Sequence, residues 1–322
     1  MSLTRFAAVA LTASATATSA RAPVIFAPGE ISGPVNVDSA TFSPDGGSVY
    51  FDQSTGPVST IVISHKRAGH WTRPQIAPFS GTWSDKDPAM APDGSFIVFG
   101  SNRPADGRGP VLDLVRADGS VVKGQGNQLW RVERKGAGWG PPHRLPDSIN
   151  DGVRIHSPSV VADGSLYFQR FSPETRTYHL FRSTFKAGRY QPPVEVHIGP
   201  AAADERDPAV APDERFLVFS ANYGPKGAPN RLYIAFRRDA GWGSPVDLGD
   251  GVNHDGAEGP HLGPDGRTVY FDSSASFSPA IPRSRAQAVR DLARAAAWDN
   301  GNSHLWKLDL APWLDDHRLG AP

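Results

Sequence analysis

The sequence contains no cysteine, which excludes disulfide bonds, thiolate metal sites and cysteine nucleophiles. It also has no net formal charge, because 33 Lys and Arg residues balance 33 Asp and Glu residues. Nucleic acids and anionic membranes select basic surfaces, so neither is expected as the main partner. The common catalytic motifs are absent as well: the chain has no G-x-S-x-G, no H-E-x-x-H and no phosphate-binding glycine-rich loop with its lysine.

Long apolar runs are also lacking, and none approaches the roughly 20 residues of a membrane-spanning helix. Residues 1–22 combine Arg5, the short apolar run Phe6–Leu11 and an Ala20-Arg21-Ala22 site, which is typical of a secretory signal peptide. A disordered Ala/Thr-rich tail is the alternative. We therefore expect a leader over residues 1–22, cleaved after Ala22 or Ala20, one domain over residues 23–322, and a periplasmic or secreted mature chain with a net charge of about −2.

What the sequence does contain is a turn and an apolar strand that recur five times. The first copy is Ser43-Pro44-Asp45-Gly46, followed by Val49-Tyr50-Phe51. The turn aspartates recur at steps of 48, 70, 50 and 52 residues; they are Asp45, Asp93, Asp163, Asp213 and Asp265. Proline presets φ, aspartate bonds its own backbone and glycine accepts a left-handed φ, so each copy predicts a β-hairpin. Glu214 replaces the glycine in the fourth copy, and the same hairpin there requires a positive φ.

A step near 50 residues fits a propeller blade of four strands, here called a to d from the centre outwards. The sequence predicts an all-β protein, a five-bladed β-propeller of four-stranded antiparallel blades. Its ring would be closed by an N-terminal strand at Phe26–Ile31, paired with Leu305–Leu310. An insertion at Arg103–Asn127, with its own hairpin, accounts for the 70-residue step, and one helix is predicted over Ser284–Trp298 in the last blade.

The Ser/Ala-Pro-Asp-Gly turn followed by a Val/Ile-aromatic strand, at this spacing, resembles the repeat of TolB-type β-propellers, a WD-like arrangement. The resemblance covers most of the mature chain and implies the propeller fold. TolB has six blades and an additional N-terminal domain, whereas five blades and no such domain are expected here. A role in the Tol envelope system is therefore not implied.

The predicted strand order separates two faces of the disc. The five turns lie on one, the turn face, and the d-to-a and b-to-c loops with both long insertions lie on the other, the loop face, where function is commonly carried. Polar residues around strand a surround the loop-face opening of the channel: Asp38, Asp85, Asp87, Arg154, His156, Asp204, Glu205, Arg206, Asp207, His254, Asp255 and Glu258. Such a set could bind a cation, a polyhydroxylated ligand or a peptide. Solvated loop residues are the alternative, as are caps of the first amides of strand a, particularly for Asp87 and Asp207.

One position inside strand a differs sharply among the repeats. It reads Thr41, Ala89, Ser159, Ala209 and His261. Four small residues fit a crowded centre, so His261 is predicted to place a titratable ring in the channel or in a side pocket, with a packing role as the alternative.

The lack of a catalytic motif favours a non-catalytic binding or scaffold module for a protein, peptide or glycan ligand, acting through the loop face. The alternative is a glycoside hydrolase, since arabinanase-like hydrolases are five-bladed propellers with carboxylates from separate blades. That chemistry needs two carboxyl groups roughly 5–10 Å apart, and the resemblance makes Asp38, Asp207 and Glu258 the candidates. No cofactor is expected, apart from a divalent cation that the central channel could hold.

Overall fold

A computed structural model of the protein describes residues 22–116, 118–200, 203–225, 227–239, 241–253, 256–274, 279–297 and 300–319. The predicted leader and its cleavage site lie almost entirely outside these residues, so the signal peptide stays a prediction. None of the described helices is long and apolar enough to cross a membrane.

The chain forms a five-bladed β-propeller of antiparallel sheets, as predicted. The first strand, β1 (Val24–Ile25), belongs to the last blade. Blade 1 contains β2 (Asn36–Phe42), β3 (Ser48–Thr55), β4 (Val58–Arg67), β5 (His70–Trp71) and β6 (Gln75–Ile76). Blade 2 contains β7 (Asp85–Met90), β8 (Phe96–Ser101), the inserted β9 (Leu114–Val115) and β10 (Val121–Val122), β11 (Gln128–Lys135), β12 (Gly138–Trp139) and β13 (His143–Arg144).

The remaining blades repeat this order. Blade 3 contains β14 (Ile155–Val160), β15 (Leu166–Ser172), β16 (Thr177–Ser183), β17 (Phe185–Lys186), β18 (Arg189–Tyr190) and β19 (Val194–Val196). Blade 4 contains β20 (Asp204–Val210), β21 (Phe216–Asn222), β22 (Arg231–Arg238), β23 (Gly241–Trp242) and β24 (Val246–Asp247). Blade 5 contains β25 (Glu258–Leu262), β26 (Thr268–Ser273), α1 (Arg285–Ala295) and β27 (His304–Asp309), and α2 (Ala311–Leu319) follows it.

The ring closes through the N-terminal strand, as predicted, although the pairing lies earlier in the sequence than expected. Strand β1 pairs with β27, with Val24 opposite Lys307 and Ile25 opposite Trp306. The Phe26 amide still donates to the Leu305 carbonyl at 2.8 Å, but the chain then turns at Ala27, whose φ is 44°. The aromatic and aliphatic residues that suggested a strand at Phe26–Ile31 are buried core residues around a turn instead.

The five turns connect strands a and b, and their two sequence exceptions have local explanations. Glu214 has a φ of 57°, as the common hairpin requires. Its carboxylate accepts hydrogen bonds from Arg182 Nε at 2.7 Å and from the Tyr167 hydroxyl at 2.5 Å, which offset the cost of the left-handed backbone. Ala162, which replaces proline in blade 3, donates its amide to the Pro212 carbonyl at 2.9 Å, a bond that proline cannot make.

The two insertions form as predicted, and one further helix was not predicted. Strands β9 and β10 pair in the blade 2 insertion. Ser284 caps α1 in a capping box with Gln287, but the helix ends at Ala295, before the predicted end, and none of its residues is buried. Helix α2 packs Trp313 against the core of blades 4 and 5. The proline in its first turn obscured it in the sequence, although proline is tolerated there.

The core consists of apolar clusters that lie between neighbouring blades. The last aromatic of each strand b triplet is almost completely buried; these residues are Phe51, Phe99, Phe168, Phe219 and Phe271. Each cluster joins residues of two successive blades, for example Phe51 of blade 1 with Leu305 of blade 5. Blade order is therefore fixed by packing between blades as well as by strand pairing.

Replacing Phe26 with alanine should test the closure of the ring. Phe26 is 6% exposed and its ring contacts Phe42, Trp71 and Tyr270 edge-on or obliquely within blades 1 and 5. We expect Phe26→Ala to lower the free energy of unfolding by about 3–5 kcal/mol in urea denaturation. Val24→Ala is the matched control, because Val24 is 52% exposed and should change it by less than about 0.5 kcal/mol. Equal effects of the two variants would contradict this account of the closure.

Candidate functional site

A polar cavity of about 440 Å³ occupies the loop-face end of the central channel. Its rim is formed by equivalent residues, one from strand a of each blade. This rim ring consists of Asp38, Lys86, His156, Arg206 and Glu258. Sequence analysis had identified four of its five members.

The next residue of each strand a has a left-handed backbone and interrupts the pairing with strand b. This bulge ring consists of Ser39 (φ 52°), Asp87 (52°), Ser157 (48°), Asp207 (51°) and Gly259 (56°). The register shifts in every blade at this point, as in a β-bulge. Two successive residues per blade therefore line the cavity. At Gly259 a side chain would not fit, because a Cβ would lie 2.2 Å from Asp272 Oδ2.

The amides of the bulge ring would be unpaired without a partner in the preceding blade. In three blades, the acceptor is the residue directly after the apolar triplet of the preceding strand b. Asp52 Oδ2 accepts from the Asp87 amide at 2.9 Å. Gln169 Oε1 accepts from the Asp207 amide at 2.7 Å, and Asp272 Oδ1 accepts from the Ser39 amide at 3.0 Å.

In the other two blades this acceptor is missing or too short, and the bulge residue itself replaces it. Blade 2 has Gly100 at the position, and Asp87 Oδ2 accepts the Ser157 amide at 3.3 Å. Blade 4 has Ser220, and Asp207 Oδ2 accepts both the Gly259 amide at 3.4 Å and the Ser220 hydroxyl at 3.0 Å. The capping role predicted for Asp87 and Asp207 therefore agrees with the structure, and each caps a neighbouring blade.

Burial controls the carboxyl groups of the cavity. It raises the pKa of Asp52 and of Asp272 well above the ordinary range, and repulsion from Asp87 and Asp38 respectively adds to the effect. The pKa values of Asp38, Asp207 and Glu258 are raised as well, mainly by burial. Asp52 is 3% exposed, and its Oδ1 has no hydrogen-bond partner within the described residues.

The rim ring is divided by charge. Blades 5 and 1 contribute the carboxyl groups of Glu258 and Asp38, whereas blades 2 to 4 contribute Lys86, His156 and Arg206. Burial, with Lys86 and Arg154 nearby, holds the pKa of His156 well below its usual value, so its ring is neutral at pH 7. Arg206 pairs with Asp204 at 2.5 Å. The structure records no hydrogen bond or ion pair for the Lys86 side chain among the residues it describes.

Other predicted site residues lie elsewhere. Asp85 is buried inside blade 2, where it pairs with Arg103 at 2.7 Å, and Glu205 is buried in blade 4, where it accepts from the Tyr223 hydroxyl at 2.7 Å. Arg154 lines a neighbouring groove instead of the cavity. His254 and Asp255 lie outside the described residues.

His261 lies at the opposite opening of the channel, on the turn face. It lines a smaller cavity of about 280 Å³ together with turn prolines such as Pro44 and Pro264. Burial lowers its pKa to about 4, so the ring is neutral at physiological pH. The predicted location in the channel agrees with the structure, but His261 is not part of the loop-face cavity.

Sequence analysis missed Lys86, Asp52, Asp272, Gln169 and Tyr178, which all line the cavity. The repeat contained a signal for the first four. Lys86 aligns with Asp38 and His156, and Asp52, Gln169 and Asp272 each follow a strand b triplet. Tyr178, on the neighbouring strand β16, had no such signal. Within the described residues, no group of three or more His, Asp or Glu side chains is arranged to hold a metal ion.

Comparisons with known proteins give the fold alone. No protein-family model and no curated protein sequence matches this chain. Among solved structures, a thermostable family-43 glycoside hydrolase has a TM-score of 0.52 at 11% identity over 78% of this chain and 88% of that one. An endo-arabinase from Bacteroides thetaiotaomicron has a TM-score of 0.50 at 11% identity over 89% and 97%. TolB from Acinetobacter baumannii has a TM-score of 0.45 at 12% identity, with 85% of this chain covering 54% of that protein.

The raised pKa of Asp52 predicts a pH-dependent effect of Asp52→Asn. A carboxyl group whose pKa is raised by folding stabilises the protein below its unfolded pKa, and this contribution is lost as pH rises through the folded pKa. The amide keeps an acceptor for the Asp87 amide and cannot ionise. We therefore expect the free energy of unfolding of Asp52→Asn, relative to wild type, to increase between pH 4 and pH 8, by about 1.4 kcal/mol per unit of raised pKa.

Urea denaturation across this pH range measures the effect. The exposed Asp239→Asn serves as the control, and its difference from wild type should not vary with pH in this way. A stability difference for Asp52→Asn that stays constant or falls with rising pH would show that Asp52 is not desolvated as described.

Proposed function

We propose that this protein is an exported binding module that holds a saccharide in the loop-face cavity. The observation that carries the proposal is the set of polar groups that point into the cavity without a complete set of partners. Among the described residues these are Asp52 Oδ1, the ammonium group of Lys86 and one carboxylate oxygen of Glu258, whose Oε1 accepts from Asn230 at 2.7 Å. Closely spaced donors and acceptors of this kind match the hydroxyl groups of a sugar.

The protonation of Asp52 supports the same ligand class. A carboxyl group with a raised pKa retains its proton near neutral pH, and it can then donate a hydrogen bond as well as accept one. A sugar hydroxyl also donates and accepts. The buried Asp52 carboxyl and a hydroxyl are therefore complementary in either direction.

The rigidity of the site supports binding in preference to scaffolding alone. The residues that line the cavity are held by the bulge ring, whose amides and side chains are bonded between blades, as with the Ser157 hydroxyl and Asp207 at 2.7 Å. A site that is formed before the ligand arrives loses less conformational entropy on binding.

A ligand screen by thermal shift tests this function. A saccharide at 100 times its Kd should raise the melting temperature by about 5 °C. The double variant Asp38→Asn, Glu258→Gln removes both rim carboxylates and should lose most of that shift. The exposed Asp239→Asn controls for loss of a charge and should keep it. If no mono- or oligosaccharide moves the melting temperature of the wild type, the proposal is wrong.

A second candidate function is glycoside hydrolysis, favoured by one observation. Asp38 and Glu258 come from adjacent blades on the same rim, and burial raises both pKa values, as an acid that must stay protonated requires. Asp207, the third predicted carboxylate, is less suited to attack a substrate, because its two oxygens already accept from Ser157, Ser220 and the Gly259 amide. The fold is shared with glycoside hydrolases.

Hydrolysis of arabinan and of aryl arabinofuranosides, measured as reducing sugar or released phenol, tests this second function. If the activity exists, Glu258→Gln and Asp38→Asn should each lower kcat/KM at least about 100-fold. The rate should fall as pH rises through the raised pKa of the acid. A wild-type protein that binds saccharides but releases no product supports the binding function and excludes hydrolysis of these substrates.

A further inference from the structure

A second, larger pocket lies beside the central cavity. This lateral groove has a volume of about 740 Å³ and is lined by residues of the blade 2 insertion and of blade 3, among them Arg116, Arg154, Phe171, His179 and Phe181. Sequence analysis had assigned only Arg154 to a site. Both pockets fall in the range of about 300–1,000 Å³ that is usual for small-ligand sites.

One tyrosine–arginine pair separates the groove from the cavity. Tyr178 lines the central cavity, and its hydroxyl accepts from Arg154 Nη2 at 3.1 Å and from Nε at 3.3 Å. The Arg154 guanidinium in turn lies 3.3 Å from the centroid of Phe171, in the groove. A chain-like ligand that passes over this pair would contact both pockets.

The unpaired charge of the groove is mainly positive. Two of its acids are already paired, Asp151 with Arg170 at 2.8 Å and Glu195 with His179 at 2.6 Å. Glu174 accepts from the Ser172 hydroxyl and has no cationic partner within the described residues. Against this single acid, Arg116 has no recorded side-chain partner in that part of the chain, and Arg154 keeps Nη1 free.

The groove lies next to the cationic side of the rim. Blade 3 contributes both Arg154 and His156, and the Arg206 guanidinium lies 4.8 Å from the Tyr178 ring centroid. Positive groups therefore continue from Arg206 and Lys86, across the Tyr178–Arg154 pair, into the groove. A ligand that extends this way should carry carboxylates, which arginine recognises through charge-assisted and often bidentate hydrogen bonds.

The floor of the groove contributes aromatic surface between these charges. Phe181 stacks on Phe168 with centroids 5.9 Å apart and lies beneath the Arg170 guanidinium at 4.5 Å. A sugar ring has one apolar face and a hydroxyl edge, so it can cover Phe171 or Phe181 while its edge meets the polar walls.

We infer that the cavity and the lateral groove form one cleft for an acidic oligosaccharide, whose uronate carboxylates contact Arg154 and Arg116. The inference rests on the proposed saccharide-binding function and adds the charge and the length of the ligand. One sugar unit occupies the central cavity, and the following units run over the Tyr178–Arg154 pair into the groove.

Isothermal titration with the full-length protein tests the inference. The probes are monomers and trimers of galacturonate, mannuronate and guluronate, with maltotriose and methyl-esterified trigalacturonate as neutral trimers. We expect at least one uronate trimer to bind about 10-fold or more tightly than its monomer and than either neutral trimer. Loss of one charge-assisted hydrogen bond weakens binding by roughly 10- to 100-fold, so Arg154→Gln and Arg116→Ser should each lower trimer affinity to this degree.

Controls separate the groove from general effects of charge and folding. Arg189→Gln removes an exposed arginine from the outer edge of blade 3 and should leave trimer affinity within twofold of wild type. Arg154→Lys keeps the charge but loses the planar guanidinium, and it should recover only part of the affinity. Arg116→Ser changes an exposed side chain, so it should fold even if the Arg154 variants do not.

The outcomes distinguish the two levels of the proposal. Saccharide binding that is independent of chain length or of ester formation, or that persists in both Arg116→Ser and Arg154→Gln, overturns the acidic cleft and leaves the central saccharide site intact. The absence of binding by every saccharide, neutral or acidic, overturns both.

Discussion

The channel depends on one contact that is repeated between successive blades, the hydrogen bond from the amide of a left-handed residue to a side chain of the preceding blade. A left-handed backbone costs about 1–2 kcal/mol at a residue other than glycine, and a buried amide without a partner costs about 1–3 kcal/mol more. Asp52, Gln169 and Asp272 remove the second cost directly, and Asp87 and Asp207 do so where strand b offers Gly100 or Ser220. The bulge ring therefore persists because every blade provides an acceptor for the next.

This constraint explains why the channel is acidic without being a metal site. Several of its carboxyl groups are acceptors for backbone amides, and their burial raises the pKa values of Asp52, Asp207 and Asp272. The same bulge turns the preceding residue of each strand a towards the cavity, and only Asp38 and Glu258 supply carboxyl groups there. Structural and ligand-binding acids thus occupy successive residues of the same strands, which a simple count of aspartates at the opening does not separate.

The sequence predicted the features that local chemistry determines. The five turns, the positive φ of Glu214, the blade 2 hairpin and the cap of α1 at Ser284 all follow from residues close together in the chain. Features that depend on distant partners were missed or misplaced. The left-handed residues in strand a depend on acceptors in another blade, the closing strand was shifted because Phe26 is a core residue, and Arg154 was assigned to the channel although Phe171 and Tyr178 hold it in the groove.

The five-fold repeat also indicates where function resides. Departures from the repeat at Glu214 and Ala162 have local partners that account for them, so they carry no signal of function. The rim ring differs in every blade, and no bond within the described residues accounts for Lys86 or for Asp52 Oδ1, whose burial without a partner costs stability. Polar groups that fold stability does not explain are concentrated at the loop-face end of the channel and along the blade 3 side of its rim. A ligand there would supply the hydrogen bonds that the protein itself leaves open.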